Sequence, residues 1–340
     1  MDVLSDVIAT MRTGRPRSAR VQWHAPWGQR FPAALGSAGF QVILQSSCWL
    51  TPPDAGAPPL PLGVGDVVFF PHGHGYGLSD SPATPLAEPD CDPLDDAGLY
   101  ASATIGEPRH AAPTVTLCGG YQLDPTRAHP LLHDLPDMIH IPARLGHRAQ
   151  LHAAVDLLVG ELDHPRLGTD TIVPALLDTL LHYILRDWFD EHAKRNADTG
   201  WAAALADPAI SAALHAIHRA PAHPWTVATL AAQAGLSRAA FAKRFATLTG
   251  QPPLTYLTWW RMTTAARLLR VSDTPLSQLA DQAGYTSEFA FANAFKRVYG
   301  TAPGRYRRHS QAGTRSQPHH PATDPTLSPS GGSARTPSRR

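Results

Sequence analysis

Apolar residues change their spacing twice along this chain. Between residues 19 and 124 they come in short stretches at 19–23, 40–50, 66–70 and 114–123, each of strand length and bounded by Gly, Pro or other turn residues. Short strands so punctuated predict an antiparallel β sandwich or barrel. The intervening 80–113 is rich in Pro, Asp and Ala, has no periodicity, and is expected to be a long, mobile loop between strands. From Ala149 the spacing turns to three and four residues: Leu151, Val155, Leu158 and Leu162, then Ile172, Leu176, Leu180, Ile184 and Trp188. Two amphipathic helices separated by 163–168 follow. Their apolar faces need cover, either from the β region or from the same helices of a second subunit.

Further on, one pattern occurs twice. Leu230-Ala231-Ala232-Gln233-Ala234-Gly235 recurs as Leu279-Ala280-Asp281-Gln282-Ala283-Gly284. Ser237, Phe241, Phe245, Gly250, Pro253 and Tyr256 recur as Ser287, Phe291, Phe295, Gly300, Pro303 and Tyr306. Each copy reads as a helix, a tight turn at glycine and a second helix, which is how a chain builds two helix-turn-helix motifs in tandem. In the first copy Thr226 and Ser237 are the expected caps, and in the second Thr274, with Pro275 at the first helical position, and Ser287. Both phenylalanine pairs face inward. Arg238, Ala239, Ala242 and Lys243 are left outside in the first copy, and Glu288, Phe289, Ala292, Asn293, Lys296 and Arg297 in the second. A helix over 254–270, roughly 25 Å long at 1.5 Å per residue, joins the copies and can hold two reading helices about one turn of B-DNA apart. Upstream, Asp207-Pro208 opens another helix through His218.

Charge sharpens this division. Residues 1–223 carry 14 Lys/Arg against 24 Asp/Glu, whereas 224–310 carry 11 against 3, nets of −10 and +8 hidden within an overall +1. A polyanion partner therefore suits the back half alone. The polar stretch 191–199 opens an interdomain linker over 191–204, and 311–340, a Ser/Pro/Gly/His/Arg tail poor in apolar residues, is expected to be disordered. No run approaches the roughly 18 apolar residues of a membrane span, and the N-terminus lacks a signal-peptide core, so a cytoplasmic protein without membrane contact is expected. Cys48, Cys91 and Cys118 are too few and scattered for a disulfide framework.

Residues 225–308 resemble the DNA-binding domain of the AraC/XylS family of bacterial transcription regulators. The likeness rests on the two Leu-Ala-x-Gln-Ala-Gly turns, on Ala283-Gly284-Tyr285-Thr286-Ser287, on Phe295-Lys296-Arg297 and on the closing Gly300-Thr301-Ala302-Pro303-Gly304-Arg305-Tyr306-Arg307. It implies base contacts from Ala239, Ala242 and Lys243 in the first motif and from Glu288, Phe289 and Asn293 in the second. Lys243 suits guanine, Asn293 adenine and Glu288 cytosine, while the two alanines offer methyl contacts to thymine. Arg238, Arg244, Lys296, Arg297 and Arg305 are assigned to phosphate neutralisation.

The front half resembles the cupin-type effector domains of that family through 39–50, 65–73, 118–121 and 130–136. The resulting organisation is α+β: a cupin-like sensor domain over 1–148, a helical hairpin over 149–190 that dimerises or docks, the linker, and an all-α tandem helix-turn-helix domain over 205–310. His72 and His74, spaced as alternate strand residues, are candidate effector or metal ligands with His24 or His110. The glutamate that metal-using cupins place a few residues later is replaced here by Gly75-Tyr76-Gly77-Leu78-Ser79-Asp80, which argues against a metal-dependent cupin enzyme fused to a DNA-binding module. Cys48 and Cys118 are candidate redox sensors if their strands are neighbours. Trp23, Trp27, Trp49 and Tyr76 are candidate pocket walls. The reading is a DNA-binding transcription regulator, an activator acting with RNA polymerase, controlled by a small-molecule or redox signal, with promoter DNA and a second copy of itself as partners. No catalytic residue, metal or cofactor is assigned.

Overall fold

The computed structural model describes residues 2–54, 56–89, 100–108, 112–123, 129–143, 148–195 and 199–315. The chain opens with a helix that strand-seeking missed, α1 (Val3–Met11), capped by Asp2, whose carboxylate accepts from the Ser5 amide at 3.0 Å. Val3, Val7, Ile8 and Met11 form its buried face. The strands are β1 (Arg17–Trp23), β2 (Gly28–Phe31), β3 (Ser37–Gln45), β4 (Cys48–Thr51), β5 (Leu60–Leu62), β6 (Val67–Phe70), β7 (Tyr76–Ser79), β8 (Tyr100–Ile105), β9 (Thr114–Gln122) and β10 (Ile139–Ile141), with α2 (Pro130–His133) before the last.

They form a six-stranded sheet in the order β10-β6-β3-β9-β1-β8 and a four-stranded sheet in the order β2-β7-β4-β5. The expected all-antiparallel arrangement fails at one edge, where β8 runs parallel to β1. The 40–50 stretch is two strands, because Ser46 adopts a φ of 59° and turns the chain from the larger sheet into the smaller. The excursion at 80–113 is not all loop, since β8 lies within it; 90–99 and 109–111, with Cys91 and His110, lie outside the described residues. All of β8 but its first residue is exposed, so no apolar alternation marked it.

Inward side chains of both sheets fill the space between them. Val21, Trp23, Trp27, Ile43, Cys48, Leu50, Val68, Phe70 and Leu78 make one buried cluster there. The larger sheet turns its other face to α1, α2, α3 (Ala149–Asp163) and α4 (Thr169–Arg195). Leu151, Val155, Leu158, Leu162, Leu180 and Ile184 are buried in that layer, so the hairpin spends its main apolar stripe on its own chain. Arg148 ties the start of α3 to α4, with Nε 2.6 Å from Asp187 and Nη2 2.5 Å from Glu191.

The stretch 191–204 is not an open linker. Residues 191–195 complete α4, and α5 (Gly200–Ala206) buries Trp201, Ala202, Ala203 and Ala204; 196–198 lie outside the described residues. These four apolar side chains, packed into the core, make the segment helical despite its polar start. Then come α6 (Pro208–Arg219), α7 (Val227–Gln233), α8 (Arg238–Thr249), α9 (Pro253–Val271), α10 (Leu276–Gln282), α11 (Glu288–Tyr299) and α12 (Pro303–Arg315). Helix α12 carries order to 315, five residues into the expected tail, and 316–340 lie outside the described residues. No helix among the described residues is long and apolar enough to cross a membrane.

Candidate nucleic-acid interface

Two helix-turn-helix units stand at the ends of α9. In the first, Thr226 and Thr229 cap α7 reciprocally, each side chain bonding the other residue's amide. Gly235, at φ 65°, then lets the Leu236 amide return to the Ala231 carbonyl at 3.0 Å. Only glycine enters that left-handed region without strain. Ser237 caps α8 by accepting from the Ala240 amide at 3.3 Å. In the second unit Gly284 has φ 71°, Tyr285 returns to Ala280 at 2.9 Å, and Ser287 accepts from Ala290 at 3.2 Å. Gly284 also permits a close approach, since a Cβ there would stand 2.6 Å from the Ala222 carbonyl, in the loop before α7.

The expected cap Thr274 is displaced. Pro275 occupies the cap position of α10 with no side-chain bond, and the Thr274 hydroxyl pairs with that of Ser272 at 2.9 Å. The Ser272 hydroxyl thus holds the Thr274 side chain away from the first amides of α10.

Phe241, Phe245, Phe291 and Phe295 are fully buried. Their helical spacing fixes which faces of α8 and α11 point out. Arg238, Ala239, Lys243, Glu288, Phe289, Asn293, Lys296, Arg297 and Arg305 are exposed, and Ala242 and Ala292 half-buried. Phe289 keeps 77% of its surface free at the start of α11, an unusual position for so large an apolar ring. Arg244 differs from its neighbours. Its guanidinium Nε lies 2.6 Å from Asp207, the buried cap of α6, so it braces α6 on α8.

The candidates in the front half scatter. His72 and His74 lie in the turn after β6 rather than on a strand, with Gly73 at φ 66° between them. His72 Nε2 is 2.8 Å from the Leu135 carbonyl and His74 Nδ1 3.3 Å from Asp137. No group of three His, Cys, Asp or Glu side chains among the described residues converges to hold a metal ion. Cys48 and Cys118 stand on β4 and β9, in different sheets, not on neighbouring strands. Burial, with the Asp66 charge adding to it, pushes the Cys48 thiol up to about 12 and suppresses the reactive thiolate. Trp23 stacks on Trp27 at 4.7 Å, Tyr76 lies between Phe70 at 3.8 Å and Phe31 at 4.7 Å, and Trp49 is half-buried. The aromatic candidates are thus mostly packed core. Within it Gln41, wholly buried, donates to the Tyr76 hydroxyl at 2.8 Å and leaves its own Oε1 without a hydrogen-bond partner.

Sequence reasoning passed over a polar chain at the seam between the two halves. His129 Nε2 lies 3.0 Å from the Tyr256 hydroxyl, which lies 2.6 Å from His218 Nε2. His218 Nδ1 in turn is 3.3 Å from Asp6. Burial pushes His129 well below the usual histidine range, with His218 and His133 adding to the effect; burial also lowers His218, against the pull of Asp6 and with a small push from His215. A histidine before Pro130 and another before Arg219 carry no local mark of such contacts.

Comparisons with known proteins agree with this layout. A cupin family model matches residues 2–190, and a helix-turn-helix domain model matches 230–309. An AraC-like transcription regulator of Streptomyces lividans is 36% identical over 313 residues, covering 91% of this chain and 99% of that protein. The HTH-type transcriptional regulator AlkR of Acinetobacter baylyi is 30% identical over 315 residues, covering 91% and 100%. Among solved structures, the DNA-binding domain of AdpA, a global transcriptional factor, in complex with a target DNA is 34% identical, covering 32% of this chain and 98% of that one at a TM-score of 0.31.

Proposed function

Because this chain belongs to the AraC/XylS family of transcription regulators, a cupin-type domain joined to tandem helix-turn-helix units that bind DNA, we propose that α8 and α11 read two successive major grooves on one face of an asymmetric site. The observation that carries this is the paired geometry: each unit buries its phenylalanines, caps its second helix with serine and leaves a side-chain set suited to base edges exposed, at either end of one stiff helix. Lys243, Glu288, Phe289 and Asn293 carry the discrimination, with Ala239 and Ala242 in methyl contact. Arg238, Lys296, Arg297 and Arg305 hold phosphates, and Arg244 contributes there chiefly by bracing α6. Asn293→Ala is expected to cost about 1–3 kcal/mol at one base position and relax selectivity there, whereas Arg297→Ala weakens all sequences alike and lowers the salt slope by about one. Unchanged base preferences in Asn293→Ala would remove α11 from the role of reading helix.

The effector site we infer lies between the two sheets. Its support is Gln41 Oε1, a wholly buried acceptor without a partner, which a ligand donor group would satisfy, with the unpaired Trp27 Nε1 donor in the same buried layer. Gln41→Leu should abolish the effector's influence on DNA binding while leaving binding itself intact; a full response in that variant places the effector elsewhere. The raised Cys48 thiol favours a small molecule over an oxidant as the signal.

Dimerisation, in this reading, uses the outer side of the α3–α4 hairpin, where Leu157 is 61%, Leu167 103% and Ile172 40% exposed. Leu157→Asp with Leu167→Asp should halve the sedimenting mass of the full chain, and an unchanged mass would exclude this surface. The output is activation in the cytoplasm, since one monomer on an asymmetric site stands beside RNA polymerase without a second copy. Nothing in this mechanism requires catalysis.

A further inference from the structure

The two units are duplicates in sequence but not in attachment. Helix α9 is shared between two buried clusters. Tyr256, Leu257 and Trp260 join the cluster that runs through α5–α8 into α1–α4 and the larger sheet. Met262, Ala265, Ala266 and Leu269 join a separate cluster built with α10 and α11, none of whose buried members comes from the N-terminal domain. The division between packed bodies therefore falls inside α9, between Trp260 and Met262, not at the junction between cupin-type and helix-turn-helix segments.

Hydrogen bonding across the seam has a definite direction. The Leu131 amide donates to His129 Nδ1 at 2.9 Å, so this neutral ring carries its proton on Nε2 and donates it to the Tyr256 hydroxyl. The hydroxyl then donates to His218 Nε2, which leaves the second ring's proton on Nδ1, 3.3 Å from the Asp6 carboxylate, within ion-pair reach though outside hydrogen-bond geometry. Both ends of this chain, His129 and Asp6, belong to the N-terminal domain, and the middle members stand on α6 and α9, the helices packed against the first reading unit. Aromatic faces close around it: His218 stacks on Trp260 at 3.9 Å, and His129 meets Trp201 edge-on at 4.7 Å.

The repeat supplies an internal comparison. Tyr306 holds the position in the second unit that Tyr256 holds in the first, and its hydroxyl accepts from Arg270 at 2.9 Å, within its own unit and α9. We infer that Tyr256 is a positioning residue that clamps the first reading unit to the N-terminal domain, so that the effector domain moves α8 directly and reaches α11 at one remove, through α9 and the Ala222 loop that meets Gly284. The consequence for DNA rests on the reading proposed above, but the clamp itself can be tested without DNA.

Amide hydrogen exchange on the full chain, compared among the natural sequence, Tyr256→Phe, Tyr306→Phe and Asp6→Asn, discriminates. Loss of one hydroxyl at Tyr256 strands a buried donor and a buried acceptor at once, so exchange in α1, α2 and α6–α8 should rise together by about tenfold, with α10 and α11 unchanged. Tyr306→Phe should loosen α10–α12 alone. Asp6→Asn keeps the packing and should give the Tyr256→Phe pattern with smaller amplitude, which keeps the test open if Tyr256→Phe does not fold. Exchange rising equally in both units while α1 and α2 stay protected, in either variant, would show the two units to be one body and overturn the clamp.

Discussion

Truncating Phe291 to alanine should cost about 3–5 kcal/mol and silence the second reading helix while sparing the N-terminal domain. The ring is wholly buried between Tyr285, at 6.0 Å, and Phe295, at 5.8 Å. It belongs to a small separate cluster of Met262, Ala265, Ala266, Leu269 and a few side chains of α10 and α11. Domains are stable by only about 5–15 kcal/mol, so a unit this size has little reserve. Urea unfolding should show α10–α12 melting early, with sequence-specific binding lost and non-specific binding retained. Phe241→Ala opens a similar void in a cluster buttressed by the N-terminal domain, and should unfold in one transition with it. If Phe291→Ala instead lowered both transitions equally, the separation of the two cores would be wrong.

Acid is the second strong lever. His129 and His218 are held neutral in the folded chain by burial, whereas in the unfolded chain both titrate near 6.5. The unfolded state thus binds more protons as pH falls below about 6.5, and stability declines from there until the folded-state values are reached. Between pH 6.5 and 5.5 the loss grows as the pH falls, and His129, the more strongly lowered ring, carries the larger share of it. Asp6 opposes the decline at His218, the neighbouring His133 and His215 reinforce it, and half-buried His182 on α4 adds in the same sense. The transition of the N-terminal domain with the first unit should carry the loss, because the rings that burial lowers, His129, His182 and His218, all precede α7 in the chain and none of the three stands on α10–α12. Denaturant midpoints at the two pH values check this; an equal fall in the second unit's transition would place the titrating groups elsewhere.

How much of the molecule was legible along the chain depended on how local each constraint is. Gly235 and Gly284 sit where only glycine turns without strain, Ser237 and Ser287 where a helix needs an acceptor, and the phenylalanines four residues apart on one face. Such demands write themselves into adjacent residues, so both reading helices were visible with their outward sets. Asp207-Pro208 announced α6 for the same reason. The β half was less legible because β5 and β10 span three residues each, β8 is an exposed edge, and β7 has a glycine among its four residues. Arg244 and Thr274 met partners, Asp207 and Ser272, that compete with the roles their positions suggested. The seam was invisible, since His129 and Tyr256 lie 127 residues apart and meet only once both domains have folded.

The measurement that bears most directly on tandem reading is unbiased selection of binding sites from random duplex DNA by the full chain, followed by footprinting of the selected sequence at two salt concentrations. The expected result is an asymmetric motif with two conserved segments about 10–10.5 base pairs apart, protected on one face by the two reading helices of one chain, with binding that survives competitor DNA and weakens steeply as salt rises. A sequence pool that stays random through selection, or one conserved segment only, would contradict tandem reading by α8 and α11.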